Sequence, residues 1–475
     1  MTLKFRRIAA GLLATVMCCS VFASCGDSDD SSAVNSAADS ATDSTTDEET
    51  ANSLENIIYG EMRTEFNENL DLSDYPLTQS EVPEDYQVAV EAESGQLTGA
   101  AVVNEDSTAS GGEYVNGINS ESDRLTMTVE VEYSGFYDLV FSARSSDYKV
   151  NNVVVDDIKA GEITTDSSVE FYDVPLQYIY LEAGSHTIAV TSNWGYADYD
   201  ALTLIAAQNP ITEEAYNVTP ELSNPNADDN TKRLFKFLCD VYGKYSISGQ
   251  YAETGRESRE YKEIQDITGK EFAVLGLDVG NYSLTSQANG ATSNTIEYAY
   301  DWYNNAGGIV QLCWHWTSPE GYYIENDQQH WWSSFYIEAS TIDLDKIMNG
   351  EDETGYQLLM DDIDNMAQQL ARLRDAGVPV LWRPLHEASG GWFWWGNCDP
   401  ESYKKLWNVM YDKMTNEHNL TNLIWVWNGQ DPDWYPGDDT VDLVGLDIYA
   451  GERVDSSQSG AFADLVNNFD TESKL

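Results

Sequence analysis

LWRPLHEASGGWFWWG occupies residues 381–396. It continues an apolar run from Val378 that only Pro379 interrupts, the pattern of a strand buried on both faces. The run leads into a cation, Arg383, then an imidazole and a carboxyl group, His386 and Glu387. A glycine turn follows, and then four consecutive aromatics, Trp392 to Trp395. A strand with this mouth suits the breaking of a glycosidic bond: indoles stack on sugar faces, and a carboxylic acid beside them protonates the departing oxygen. The same chemistry requires a second carboxylate from elsewhere in the fold.

Outward from this run, the chain beyond Thr231 alternates apolar strands with amphipathic helices. The pattern predicts strands at 245–250, 272–279, 308–316, 378–387, 423–428 and 441–449, with helical stretches such as 356–376 and 402–416 between them. Repeated βα units of this length predict an α/β fold, a (β/α)8 TIM barrel of which about six of eight strands are present. Catalytic side chains of such barrels lie at the C-terminal strand ends. Asp278, His315, Glu387, Asn428, Asp447 and Tyr449 occupy those places.

Residues 86–207 have a different rhythm. Short alternating runs at 87–93, 125–131, 135–143, 152–155, 186–192 and 201–205, separated by turn residues, predict an N-terminal antiparallel β-sandwich module. A prolyl segment with Pro210, Pro220 and Pro225 links it to the barrel. The expected organisation is a leader over 1–25, an acidic low-complexity linker and extension over 26–85, the sandwich over 86–207, a linker over 208–231 and the barrel over 232–475. Residues 27–56 hold no aromatic residue, lysine or arginine. They cannot bury enough surface to fold, and predict an extended tether.

The net charge of −56 repels phosphates and excludes nucleic acid as a partner, while a neutral polysaccharide is compatible with it. Lys4, Arg6 and Arg7 precede an apolar stretch over 8–23, the layout of a secretory signal. Phe22-Ala23-Ser24-Cys25 resembles a bacterial lipoprotein box with Cys25 as the lipidated residue; ordinary signal cleavage nearby is the alternative. The protein is expected outside the cell, free or anchored to its surface, touching a membrane only through Cys25. Cys239, Cys313 and Cys398 remain after the leader and lack metal-like spacing. One disulfide can be formed from them; buried free thiols suit the apolar surroundings of Cys239 and Cys313.

The sandwich region resembles carbohydrate-binding module family 35. The matching pieces are Glu91-Ala92-Glu93, Ser110-Gly111-Gly112-Glu113-Tyr114-Val115, Gly135-Phe136-Tyr137, Leu181-Glu182-Ala183-Gly184 and Asp200. The resemblance implies a structural calcium on Glu91, Glu93 and Asp200, against the alternative of a solvated acidic edge. It also implies a sugar site in loops at one end of the sandwich. Trp194, in the polar loop Ser192-Asn193-Trp194-Gly195-Tyr196, is the first stacking platform and Tyr114 the second.

The second half resembles glycoside hydrolase family 26, whose best-known members are endo-β-1,4-mannanases. The motifs are Ser248-Gly249-Gln250, Gly276-Leu277-Asp278, Trp314-His315-Trp316, the run quoted above, and Val441-Asp442-Leu443-Val444-Gly445-Leu446-Asp447-Ile448-Tyr449. The resemblance implies a retaining double displacement on plant β-mannan with Glu387 as proton donor and no catalytic cofactor. It places His315 and His386 against the sugar, Trp392 beneath it, and Tyr449 on the nucleophile. That nucleophile belongs at the end of a seventh strand, and no residue here matches it. Glu472 precedes an apolar tripeptide instead of closing a strand. The sequence therefore predicts a C-terminally truncated barrel, inactive as it stands. A β-1,3-xylanase, a mixed-linkage β-glucanase and a non-catalytic polysaccharide-binding protein are the rival readings.

Overall fold

The computed structural model describes residues 63–449, apart from 64, 71, 74, 121, 208–212 and 430, together with Phe462, Leu465 and Val466. The leader, Cys25, the acidic tether, Glu472 and the expected start of a seventh strand lie outside the described residues. Among the described residues no helix is long and apolar enough to cross a membrane.

The first unit is built from β1 (Gln87–Glu91), β2 (Gln96–Thr98), β3 (Val102–Glu105), β4 (Glu113–Asn116), β5 (Arg124–Val131), β6 (Gly135–Arg144), β7 (Lys149–Val155), β8 (Ile158–Thr165), β9 (Tyr172–Leu181), β10 (Gly184–Trp194) and β11 (Asp198–Ala206). One sheet runs β3-β4-β11-β6-β9 with β1 also on β11; the other runs β2-β5-β10-β7-β8. Alternation builds the core: on β5, Leu125, Met127, Val129 and Val131 turn inward while Thr128 and Glu130 meet solvent. Five strands, β2, β3, β4, β8 and β9, lie outside the runs predicted from the sequence. β9 shows why: it carries Pro175 and, in a bulge opposite Asp138 of β6, a tyrosine, Tyr178, at φ 61°. An edge strand tolerates both, since its outer N–H groups need no ladder partner.

The second unit is a parallel sheet in simple order: β12 (Gly249–Tyr251), β13 (Val274–Asp278), β14 (Ile309–Cys313), β15 (Val380–Arg383), β16 (Leu423–Asn428) and β17 (Leu443–Gly445). Every residue of β14, β15 and β16 is buried, as expected of strands covered on both faces. The principal helices are α1 (Asp229–Val241), α2 (Arg259–Thr268), α3 (Leu284–Ala288), α4 (Thr295–Asp301), α5 (Leu344–Met348), α6 (Glu353–Asp375) and α7 (Pro400–Asp412). α6 starts where the Asp352 side chain accepts from the Gly355 N–H, and lays Leu359, Ile363, Met366, Leu370 and Leu373 on the sheet. The side chains singled out in the sequence, Asp278, His315, Glu387, Asn428, Asp447 and Tyr449, thus stand at one rim, where β13 to β17 end.

Described residues of the extension before the sandwich meet both units. Phe66 is 4% exposed and packs on Phe237 of α1 with centroids 5.6 Å apart, while its N–H donates to Asn230 Oδ1 at 2.5 Å. The Arg63 guanidinium covers the Tyr303 ring at 4.6 Å. Further along, Ser80 Oγ accepts from the Phe136 N–H at 3.2 Å, on the sandwich. Cys239, Cys313 and Cys398 are free thiols; Cys313 is buried as expected, but Cys239 is only partly so, because its sulfur faces Thr219 of the linker.

Candidate active site

The strand predicted to run to 387 stops at Arg383, because the backbone after Pro384 leaves the extended region. Leu385 and Glu387 adopt φ of 50° and 56°, a left-handed conformation that costs a non-glycine residue about 1–3 kcal/mol. The fold holds Glu387 there through its N–H, which donates to the Asn428 carbonyl at 2.8 Å, so β16 fixes the turn. The strain aims the carboxyl group over the sheet's end instead of into its pleat.

That carboxyl group is the centre of a dense network. Oε2 of Glu387 accepts from Trp392 Nε1 at 3.1 Å, and Oε1 accepts from the Tyr449 hydroxyl at 2.7 Å. Below it, Nη2 of Arg383 donates to Asn428 Oδ1 at 2.7 Å and to both oxygens of Asp447, at 2.8 and 2.7 Å. Burial first, then the hydrogen bond and charge of Asp447, raise the Glu387 carboxyl to about 7; Tyr449 and Arg383 pull the other way. A carboxylic acid that keeps its proton near neutrality is what proton donation to a leaving oxygen needs. Asp447 is buried and committed to Arg383.

Beside this network stand the two histidines, in unequal positions. Asp278, ending β13, accepts a hydrogen bond from the Nδ1–H of His315 and another from the Gly280 N–H at 2.7 Å. Burial opposes a charge on His315, but Asp278 overrides it and pushes the imidazole up to about 10. His386 lies behind it, 2% exposed, with its Nε2 3.3 Å from Nε2 of His315. Burial, Arg383 and His315 all drive His386 well down, so it stays neutral and accepts the His315 proton's hydrogen bond. The imidazole more open to the cleft is thus that of His315; His386, also expected against the sugar, is buried and reaches Nε2 of His315.

The four aromatics divide in the same way. Trp394 and Trp395 are buried, donating through Nε1 to the carbonyls of Trp316 (2.6 Å) and His386 (2.8 Å). Phe393 stacks between Trp395 and Tyr336. Only Trp392 keeps an accessible face beside Glu387. Phe335 and Tyr336, from the long connection after β14, pack on His315 and Phe393 and were not singled out in the sequence, where they sit in a turn-rich stretch without periodicity.

On the sandwich, Trp194 is 57% exposed, with Tyr148 5.9 Å away and the Lys149 ammonium 5.0 Å from its ring. Tyr114 is engaged differently, between Phe171 at 5.7 Å and the Arg144 guanidinium at 4.9 Å, which leaves less of it to offer a ligand. Glu91, Glu93 and Asp200 do converge. Ser110 bonds both Glu91 Oε1 (2.8 Å) and Asp200 Oδ1 (2.7 Å). Oε2 of Glu91 and Oε2 of Glu93 are buried without a partner. Burial, with the charges of Glu91, Glu113 and Asp200 behind it, raises the Glu93 carboxyl. Orphaned carboxylate oxygens facing further carboxylates fit a hard cation, and an all-oxygen set suits calcium.

Comparison with known proteins agrees with both halves. Glycosyl hydrolase family 26 matches residues 223–473, and carbohydrate binding module family 35 matches 88–207. A mannan endo-1,4-beta-mannosidase of Thermothelomyces thermophilus is 39% identical over 377 residues, 79% of this chain and 76% of that protein. Mannan endo-1,4-beta-mannosidase B of a Piromyces species is 35% identical, over 77% of this chain but 64% of its own length. The crystal structure of a Podospora anserina GH26-CBM35 beta-(1,4)-mannanase superposes with a TM-score of 0.59 at 37% identity, covering 82% of this chain and 85% of that one.

Proposed function

The chain belongs to glycosyl hydrolase family 26, and from that premise we propose that it cleaves β-1,4-mannan internally, with retention at the anomeric carbon. The sandwich holds it on the polysaccharide through Trp194, with a structural calcium on Glu91, Glu93 and Asp200. The observation that carries the reading is Glu387: a strained, buried carboxyl group raised to about 7, beside the one indole left open in its loop. The printed activities of the relatives point to the same polymer. The leader over 1–25 supports export, with Cys25 as a lipid attachment point.

Retention requires a nucleophilic carboxylate about 5–5.5 Å from the acid. Asp447 shares the network of Glu387 but is held by Arg383 through both oxygens, which weighs against it as that nucleophile. For the family-level substrate, initial rates on mannan, β-1,3-xylan and mixed-linkage glucan decide. A faster rate on either of the last two overturns the mannanase reading.

A further inference from the structure

The floor of the cleft carries a second set of side chains whose chemistry exceeds what a sugar needs. Asp278 ends β13 and Cys313 ends β14, and the two are directly in register across the parallel pair. His315 follows two residues later and brings its imidazole to the same place. A carboxylate oxygen of Asp278, Sγ of Cys313 and Nδ1 of His315 all lie within 4.8 Å of one another. Cys313 is buried, whereas the side chains of Asp278 and His315 are 37% and 33% exposed. The cluster is closed by the sheet below and open toward the cleft above.

One carboxylate, one thiol and one imidazole are the ligands of a three-residue zinc centre, which completes a tetrahedron with solvent on its open side. Calcium and magnesium take oxygens and would leave the sulfur unused. We propose that Asp278, Cys313 and His315 form a binding site for one borderline-soft divalent cation of the zinc class, its fourth position facing the cleft. Binding releases the thiol proton of Cys313 and the Nδ1 proton of His315 to solvent, and the metal takes over the contact that now joins His315 to Asp278. Nε2 of His315 keeps its place against His386. The ion and its solvent ligand then stand on the cleft side of Asp278, in competition with any ligand that uses this wall. The inference is independent of which polysaccharide the enzyme cleaves.

Cobalt is the probe, because a carboxylate-rich chain with 81 acidic residues binds divalent ions loosely at many places, and only a thiolate ligand adds a sulfur-to-cobalt charge-transfer band. The full chain, stripped of metal, is titrated with Co²⁺ and then with Zn²⁺. One equivalent of Co²⁺ is expected to give the thiolate band together with tetrahedral visible bands, and Zn²⁺ to abolish both. Cys313→Ser should remove the band and weaken Zn²⁺ binding more than about 100-fold, since losing a ligand costs more than the 10–100-fold typical of outer-shell partners. Cys239→Ser and Cys398→Ser should change neither. Should Cys313→Ser fail to fold by circular dichroism, His315→Gln serves in its place: the band survives while Zn²⁺ binding drops by the same factor. A wild-type chain without the thiolate band, a band that persists in Cys313→Ser, or Zn²⁺ affinity unchanged by His315→Gln overturns the site.

Discussion

The Tyr449 hydroxyl donates to Oε1 of Glu387 across 2.7 Å, tying the segment after β17 to the strained turn after β15. By resemblance this tyrosine was expected to serve the nucleophile; in the structure its hydroxyl holds the carboxyl group of Glu387, the proposed proton donor. The bond also favours the carboxylate, so Tyr449 lowers a carboxyl group that burial and Asp447 raise. Because Glu387 must carry its proton to act, kcat/KM falls as pH rises through about 7, the value to which the group is raised. Tyr449→Phe should reduce kcat/KM about 10–100-fold, the equivalent of a 1.5–3 kcal/mol hydrogen bond to a charged group. It should also move the alkaline limb to higher pH. A pH–rate profile reads both, and a limb that moves down contradicts the assignment.

Glu387→Gln separates acid catalysis from binding. On mannan the leaving alkoxide needs a proton, and the loss should be about 100- to 10,000-fold in kcat. On an aryl mannoside with an acidic phenol the leaving group needs almost no help, so the first step should stay near wild type while the later hydrolysis slows. Burst kinetics distinguish the two steps. Equal losses in the first step on both substrates would mean that Glu387 acts by position alone.

Phe66→Ala tests whether the pre-sandwich extension is part of the barrel's core. Phe66 is buried against Phe237, and truncating a buried phenylalanine costs about 3–5 kcal/mol. The barrel transition in calorimetry should fall by several degrees while that of the sandwich stays. A shift confined to the sandwich would show that the extension serves the module alone.

The contrast between legible and hidden features has a physical source. β16 spans Leu423–Asn428, the predicted bounds, because a strand buried on both faces is an unbroken apolar run. Glu387, Trp392 and Asp278 announced themselves by sitting where such runs end. What stayed hidden depends on contacts far apart in sequence. The burial of His386 comes from Phe393 and Trp395 closing over it, and the placement of Phe66 and Ser80 comes from Phe237 on α1 and Phe136 on β6. Neither leaves a periodic trace. The Phe335–Tyr336 wall is likewise invisible until the connection after β14 folds back on the Trp392 loop, where the Ile337 N–H reaches the Trp392 carbonyl at 3.0 Å.

The sandwich makes two separable predictions, one for sugar and one for calcium. Trp194 is the sandwich's one tryptophan and stands, 57% exposed, at the end of β10. If it is the platform, Trp194→Ala should weaken binding of soluble mannan by at least about 30-fold, the cost of a 2 kcal/mol hot spot, without changing the melting temperature. Calcium should do the reverse. Oε2 of Glu91 and Oε2 of Glu93 are buried without partners, so the folded module alone offers the ion a formed site. At calcium about 100-fold above its Kd the ion adds about 2.7 kcal/mol, which for a domain of this size is on the order of 10–20 °C. Chelation should therefore lower the sandwich transition by that amount, and Glu93→Gln should remove the calcium dependence. A transition indifferent to chelator would leave two buried carboxylate oxygens with no counter-charge, and would mean that protonation, with Glu93 already raised, balances the cluster instead.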